Sequence, residues 1–132
     1  AIAIASSTGG PQALFALFKD LSHDVTQPIF LTQHMPPGFT AALAEHITRR
    51  TGWSCAEGKD GDPVNNGQVY MAPGGVHLAK VIADGGGTVV VQDKDSSIVW
   101  GMPGAVAAAG DCHAVLPLGE LPKFIAQAAA GK

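Results

Sequence analysis

Ser7, in the run Ser6-Ser7-Thr8-Gly9-Gly10, and His34, in Gln33-His34-Met35-Pro36, are the two residues whose types and positions could together do chemistry. A serine hydroxyl becomes a useful nucleophile when a base takes its proton, and imidazole is the side chain suited to that near neutral pH. The apolar run Ala1 to Ala5 reads as a buried strand, and Pro11 fits the first turn of a helix. Ser7 therefore falls between a strand end and a helix N-terminus, where open N–H groups and the helix dipole favour negative charge. Three roles fit that position: a helix N-cap, a nucleophile beside an oxyanion site, or a hydroxyl that cradles a phosphate. His34 follows a second apolar run, Ile29 to Leu31. In an open α/β sheet the carboxyl ends of the strands line one crevice, and neighbouring strands lie about 4.8 Å apart, so a Ser–His hydrogen bond is within reach. Alone, a histidine at a strand end is an ordinary loop residue; its joint placement with Ser7 makes it a candidate base.

No residue stands out as the acid that would orient the imidazole. Asp84 and Asp111 adjoin glycines and read as turn residues. Asp93 and Asp95 follow the β-branched run Thr88 to Gln92, and of these Asp93 is placed to reach the same edge, with a solvent-exposed turn as the ordinary alternative. His23, His46, His77 and His113 show no paired partners and read as surface or strand positions. A phosphate-binding loop would need a Lys after its glycines, and a dinucleotide site would need G-x-G-x-x-G after the first strand; neither pattern is present. Cys55 and Cys112 have no Cys or His at metal-ligand spacing and read as buried free thiols. No cofactor and no metal is expected.

The elements that must position these residues follow from composition and periodicity. With 132 residues, 46% hydrophobic and 14% charged, the chain has the profile of one folded domain. Its 17 Gly and 9 Pro suit many tight turns. Leu14, Leu17, Phe18 and Leu21 mark a buried helical stripe, and a second helix is expected from about Thr40 to Arg50. Trp53 to Ala56 reads as a short strand. Val69 to Ala72 and Val76 to Lys80, around Pro73-Gly74-Gly75, read as a hairpin. Thr88 to Gln92 is a strand, Gly101-Met102-Pro103 opens a helix to about Ala109, His113 to Leu116 is a strand, and Leu118 to Ala130 a closing helix. The pattern predicts a doubly wound, mostly parallel α/β sheet with helices on both faces and a β-hairpin near residues 69–80. A net charge of −3 gives no electrostatic footprint for nucleic acid or an anionic membrane, and no stretch approaches the roughly 20 apolar residues of a bilayer span. A soluble, cytoplasmic protein is expected. The chain opens inside an apparent strand, which reads as an excerpt of something longer.

Taken together, Ala3-Ile4-Ala5-Ser6-Ser7-Thr8-Gly9-Gly10-Pro11, Thr32-Gln33-His34-Met35-Pro36-Pro37-Gly38-Phe39-Thr40, Tyr70-Met71-Ala72-Pro73-Gly74-Gly75-Val76-His77 and Gln92-Asp93 with Gly101-Met102-Pro103 closely resemble the catalytic domain of the chemotaxis protein-glutamate methylesterase (CheB) family. The four blocks keep the family's order across nearly the whole chain. The resemblance implies hydrolysis of glutamyl methyl esters on chemoreceptor helices with release of methanol, and in many members deamidation of receptor glutamines. It implies Ser7 as nucleophile, Thr8 as the neighbouring active-site threonine and His34 as general base. It also implies an N-terminal receiver domain as a partner in the full-length protein.

The sequence departs from the family in one place. Members carry a T-G-M-G-x-D-G segment, which supplies the catalytic Asp, between the hairpin and the Gly-Gly strand; here it is absent. Only Val81 to Gly87 separate the strand ending at Lys80 from the one starting at Thr88, whereas a parallel crossover needs about a dozen residues. Both observations place a missing segment near residues 80–81 and leave the acid unassigned. Two functions follow: a serine esterase acting on methylated receptors, or a non-catalytic receptor-binding module descended from it.

Overall fold

The computed structural model describes residues 1–36, 38–59, 61–72, 86–110 and 112–131. In chain order these form β1 (Ile2–Ser6), α1 (Gly10–Asp20), β2 (Ile29–Gln33), α2 (Phe39–Thr51), β3 (Cys55–Glu57), β4 (Val69–Ala72), β5 (Val90–Gln92), α3 (Met102–Ala109), β6 (Ala114–Leu116), a 3-10 turn (Leu118–Glu120) and α4 (Leu121–Ala129). Four strands make one sheet in the order β1-β2-β4-β3, and β5 pairs with β6 in a second. Every one of these pairings is parallel, as the alternation of strands and helices predicts.

The stripe Leu14, Leu17, Phe18 and Leu21 is buried as its spacing requires, with Phe18 fully enclosed. It packs with Ile47 of α2, Ile29 and Leu31 of β2, Val69 and Met71 of β4, and Leu121 and Ile125 of α4. The described parts of α1, α2 and α4 thus clothe one face of the larger sheet. On the opposite face Ala3 and Ala5 are exposed and Phe30 stacks on Tyr70 with ring centroids 5.6 Å apart. The closing helix begins as a 3-10 turn, because Pro122 is tolerated within a first helical turn and the α-helix proper starts beside it.

The hairpin expected over residues 69–80 is not formed along Val69–Ala72. Both edges of that strand are taken by parallel neighbours, Ile29 to Thr32 on one side and Cys55 to Glu57 on the other. Residues 73–85 lie outside the described residues, and with them His77, Asp84, the strand read from Val76 to Lys80 and the 80–81 junction. Asp111 lies outside them too.

The two thiols are free, but they differ: Cys55 is buried and Cys112 only half-buried, at odds with the expectation that both are buried. Cys112 precedes the short strand β6, which has no buried residue to draw it inward. Burial pushes the Cys55 thiol up to about 12. A thiol reagent at pH 8 should therefore modify Cys112 in the native protein and spare Cys55. Because the folded-state value lies above the unfolded one, the stability linked to Cys55 is intact below the ordinary thiol range. It is lost progressively as pH rises toward the folded-state value. Urea unfolding at pH 8 and pH 10 should show that loss, and Cys55→Ala should reduce it; an unchanged slope in the variant would remove Cys55 as its source.

Candidate active site

The register of β1 on β2 sets Ser6 opposite Gln33, and the amide of His34 continues the ladder by donating to Ser6 O at 2.9 Å. Ser7 and His34 are thus the next residues out of two adjacent parallel strands, at the same end of the sheet. The sequence predicts that convergence. Ser7 is half-buried, while Thr8 and His34 are exposed. No side-chain hydrogen bond between Ser7 and His34 is formed, so the structure brings the pair to one edge without closing the contact.

Of the three roles open to Ser7, capping is not used. The N-cap of α1 is Gly9, at φ +76°, and no side chain caps the helix. A positive φ is why glycine stands there, and a Cβ would also lie 2.7 Å from Cδ1 of Ile98, which overhangs the turn. The Gly10 N–H donates to Ser7 O at 2.8 Å, and Pro11 has no N–H. The next open donor at the positive end of the helix is the Gln12 N–H, which has no partner among the described residues.

Gln33 organises this turn, a role that sequence reasoning did not anticipate. It is 3% exposed, and its amide is satisfied on both sides. Its Oε1 accepts from Ser6 Oγ, while Nε2 donates to Ser7 O at 2.9 Å and His34 O at 3.2 Å. One side chain thereby ties together the backbone that carries both candidate residues. The two neighbouring serines are distinguished as well: the Ser6 hydroxyl is committed to Gln33, and the Ser7 hydroxyl forms no hydrogen bond among the described residues. The signal in the sequence was a polar residue at the inward end of an apolar strand.

Among the described residues no carboxylate bonds to His34. Asp93 closes its own turn, its Oδ1 accepting from the Ser96 amide at 2.9 Å and from Ser96 Oγ. Asp95 is exposed. Of the other described histidines, His23 stacks on Trp53 at 4.7 Å, His113 Nδ1 accepts from the Val89 amide at 3.1 Å, and His46 lies exposed on α2. Among the described residues no group of three or more His, Cys, Asp or Glu could hold a metal ion, and no helix is long and apolar enough to cross a membrane.

The family model described as CheB methylesterase matches residues 2–81 and 75–125. A protein-glutamate methylesterase/protein-glutamine glutaminase of Azospirillum brasilense is 42% identical over 181 aligned residues, covering 94% of this chain and 46% of the relative. One from Rhodospirillum rubrum is 38% identical over 186 residues, covering 97% and 48%. The chain therefore spans about half the length of these curated relatives. Both aligned lengths exceed the 132 residues of this chain, so each relative has residues with no counterpart here. The crystal structure of the Thermotoga maritima CheB methylesterase catalytic domain matches with a TM-score of 0.86 at 27% identity, covering 96% of this chain and 97% of that one. Family model, relatives and backbone thus agree over the strands that deliver Ser7 and His34 to one sheet edge, and the chain belongs to the CheB methylesterase family.

Proposed function

We propose that this chain carries the nucleophile and base of a serine esterase that hydrolyses glutamyl methyl esters on chemoreceptor helices. The observation that carries the reading is the division between the two serines: Ser6 is held by Gln33, and the Ser7 hydroxyl, at a strand end beside that of His34, is unbonded among the described residues. The names of the relatives supply the substrate class. In this mechanism His34 takes the proton of Ser7 Oγ as that oxygen bonds to the ester carbonyl carbon. The tetrahedral oxyanion gains from the positive end of α1, where the Gln12 N–H is open. His34 then returns the proton to the departing methoxy oxygen, which leaves as methanol. Water, deprotonated by His34, cleaves the acyl-enzyme to the free glutamate carboxylate and restores Ser7. The same steps applied to a glutamine side chain release ammonia, and the relatives' second name favours that reaction too. On this reading Thr8, next to Ser7 and exposed, lines the substrate side of the turn.

The lack of a carboxylate partner for His34 among the described residues favours a second reading, a receptor-binding module without catalysis. Methanol release from methylated receptor membranes separates the two. Release above background that is lost in His34→Gln supports the esterase; receptor binding with release at background in both proteins overturns it.

A further inference from the structure

Resting on the esterase reading, we infer that Gln33 is a positioning residue for that reaction. Its side-chain amide nitrogen bridges the carbonyl of the nucleophile residue and the carbonyl of the base residue, and thereby fixes the geometry in which Ser7 and His34 meet. It touches neither substrate nor the reacting atoms.

The strand ladder alone does not hold the pair. It reaches the His34 N–H, which donates to Ser6 O at 2.9 Å, and stops there. The His34 carbonyl lies past the ladder, and among the described residues its partner is Gln33 Nε2 at 3.2 Å. The same nitrogen donates to Ser7 O at 2.9 Å. A carbonyl oxygen points where the ψ of its residue turns it, so bonding both oxygens to one nitrogen sets ψ at Ser7 and at His34 together. With those two peptide planes pinned, the Ser7 and His34 side chains meet by rotating between staggered χ wells and not by moving the chain. Holding reacting groups in this way is a recognised source of rate.

The chemistry at position 33 calls for a carboxamide. Two carbonyl oxygens on one side need N–H donors, and the Ser6 hydroxyl on the other donates to Oε1. A carboxylate would turn an acceptor oxygen toward both carbonyls. The two carbonyls settle the orientation of the amide without help from Ser6, so a chain lacking the Ser6 hydroxyl keeps the bridge.

Stability alone does not call for an amide here. Ile29, Leu31 and Gln33 share the inward face of β2, and the first two are fully buried apolar residues. An apolar side chain of the same length would carry no desolvation cost, and replacing bonded polar groups by apolar ones of the same shape is close to neutral. The amide is instead given room: Gly10, in the first turn of α1, leaves the space in which it lies, and a Cβ there would stand 2.8 Å from Gln33 Cδ. Two elements thus give up apolar packing to keep one amide beneath the turn that carries Ser7, as expected where buried hydrogen bonds hold a site in shape.

Two variants test this. Gln33→Met keeps the length of the side chain and loses its hydrogen bonds, and Gln33→Glu keeps the shape and the acceptor for Ser6 but loses both donors. Methanol release from methylated receptor membranes gives kcat and KM, scaled to the folded fraction measured by circular dichroism. Nitrogen-15 relaxation of the full chain gives order parameters for the Thr8 and Met35 amides, which share the peptide planes of the Ser7 and His34 carbonyls. Both variants are expected to lose about ten-fold or more in kcat with KM within about two-fold of native, since a misplacement of about 1 Å can cost about 10²-fold. The Thr8 and Met35 order parameters should fall from the rigid value of about 0.85 toward 0.6 or below, while those of Ile4 and Leu31 stay as they are. A native kcat in Gln33→Met, or a loss confined to KM, overturns the proposal and leaves the esterase reading standing. A lower kcat with Thr8 and Met35 still rigid also overturns it, as does loosening that extends to Ile4 and Leu31, which would make Gln33 a structural residue. Failure of both variants to fold has the same meaning. Methanol release at background in the native chain is the separate result that overturns the esterase reading, and the role of Gln33 falls with it.

Discussion

Replacement of Ser7 by Ala is expected to cut methanol release from methylated receptor membranes by at least about a hundred-fold. The size is the lower limit set by the serine and histidine alone. In serine hydrolases with a complete triad, losing the serine or the histidine costs about 10⁶ in turnover, while losing the acid alone costs about 10⁴. Among the described residues no carboxylate bonds to His34, so the acid's share is left out of the expectation, and the remaining factor of about 10² is the least that losing Ser7 should cost. His34→Gln should produce the same loss, and the double variant no more than either, because the two residues act as a unit. Ser6→Ala is the control. It removes the hydroxyl that donates to Gln33, so it should lower stability by about 1 kcal/mol and leave most of the turnover in place. Circular dichroism would establish that the Ser7→Ala chain remains folded, as expected for a hydroxyl with no partner. Full activity in Ser7→Ala with loss in Ser6→Ala would reverse the roles given to the two serines.

The site was legible in the sequence to the extent that it depends on strand order and punctuation. Two apolar runs ending in Ser-Ser-Thr-Gly-Gly and Gln-His-Met-Pro placed Ser7 and His34 at one sheet edge, and the register of β1 on β2 does so. The stripe of α1 was legible for the same reason, since 3.6-residue periodicity records which face is buried. Gln33 was not legible as the organiser. A glutamine after an apolar strand looks like a strand terminus, and its burial depends on Gly10 of another element leaving room for it. Of the hairpin expected over 69–80, only Val69–Ala72 lies within the described residues, and a turn signal says nothing about the parallel neighbours that take both edges of that strand. The division of the described strands into two sheets could not be read from local patterns either: Ala1 to Ala5 and Thr88 to Gln92 are written as interior strands, and only the fold reveals that each has one neighbour among the described residues.

Gly10→Ala is expected to be the most damaging single-methyl change near the site. Gly10 is buried in the first turn of α1, and a Cβ there would overlap Gln33 Oε1 and stand 2.8 Å from its Cδ. Helix propensity alone would favour Ala by up to about 1 kcal/mol, so the sign depends on whether Gln33 can retreat. It cannot do so cheaply. Its amide is buried and makes three hydrogen bonds, to Ser6 Oγ, Ser7 O and His34 O, and leaving a buried polar group unsatisfied costs about 1–3 kcal/mol. Overpacking adds about 1–3 kcal/mol, so a net loss of about 1–5 kcal/mol is expected, a large part of the 5–15 kcal/mol that holds a typical domain. Urea denaturation measures it. The cause is separable by a double-mutant cycle, because Gln33→Ala removes the side chain that the new methyl meets. Gly10→Ala made on the Gln33→Ala background should therefore cost much less than on the native one. Strict additivity would mean that the two residues do not meet, and would remove Gln33 as the reason for glycine at position 10.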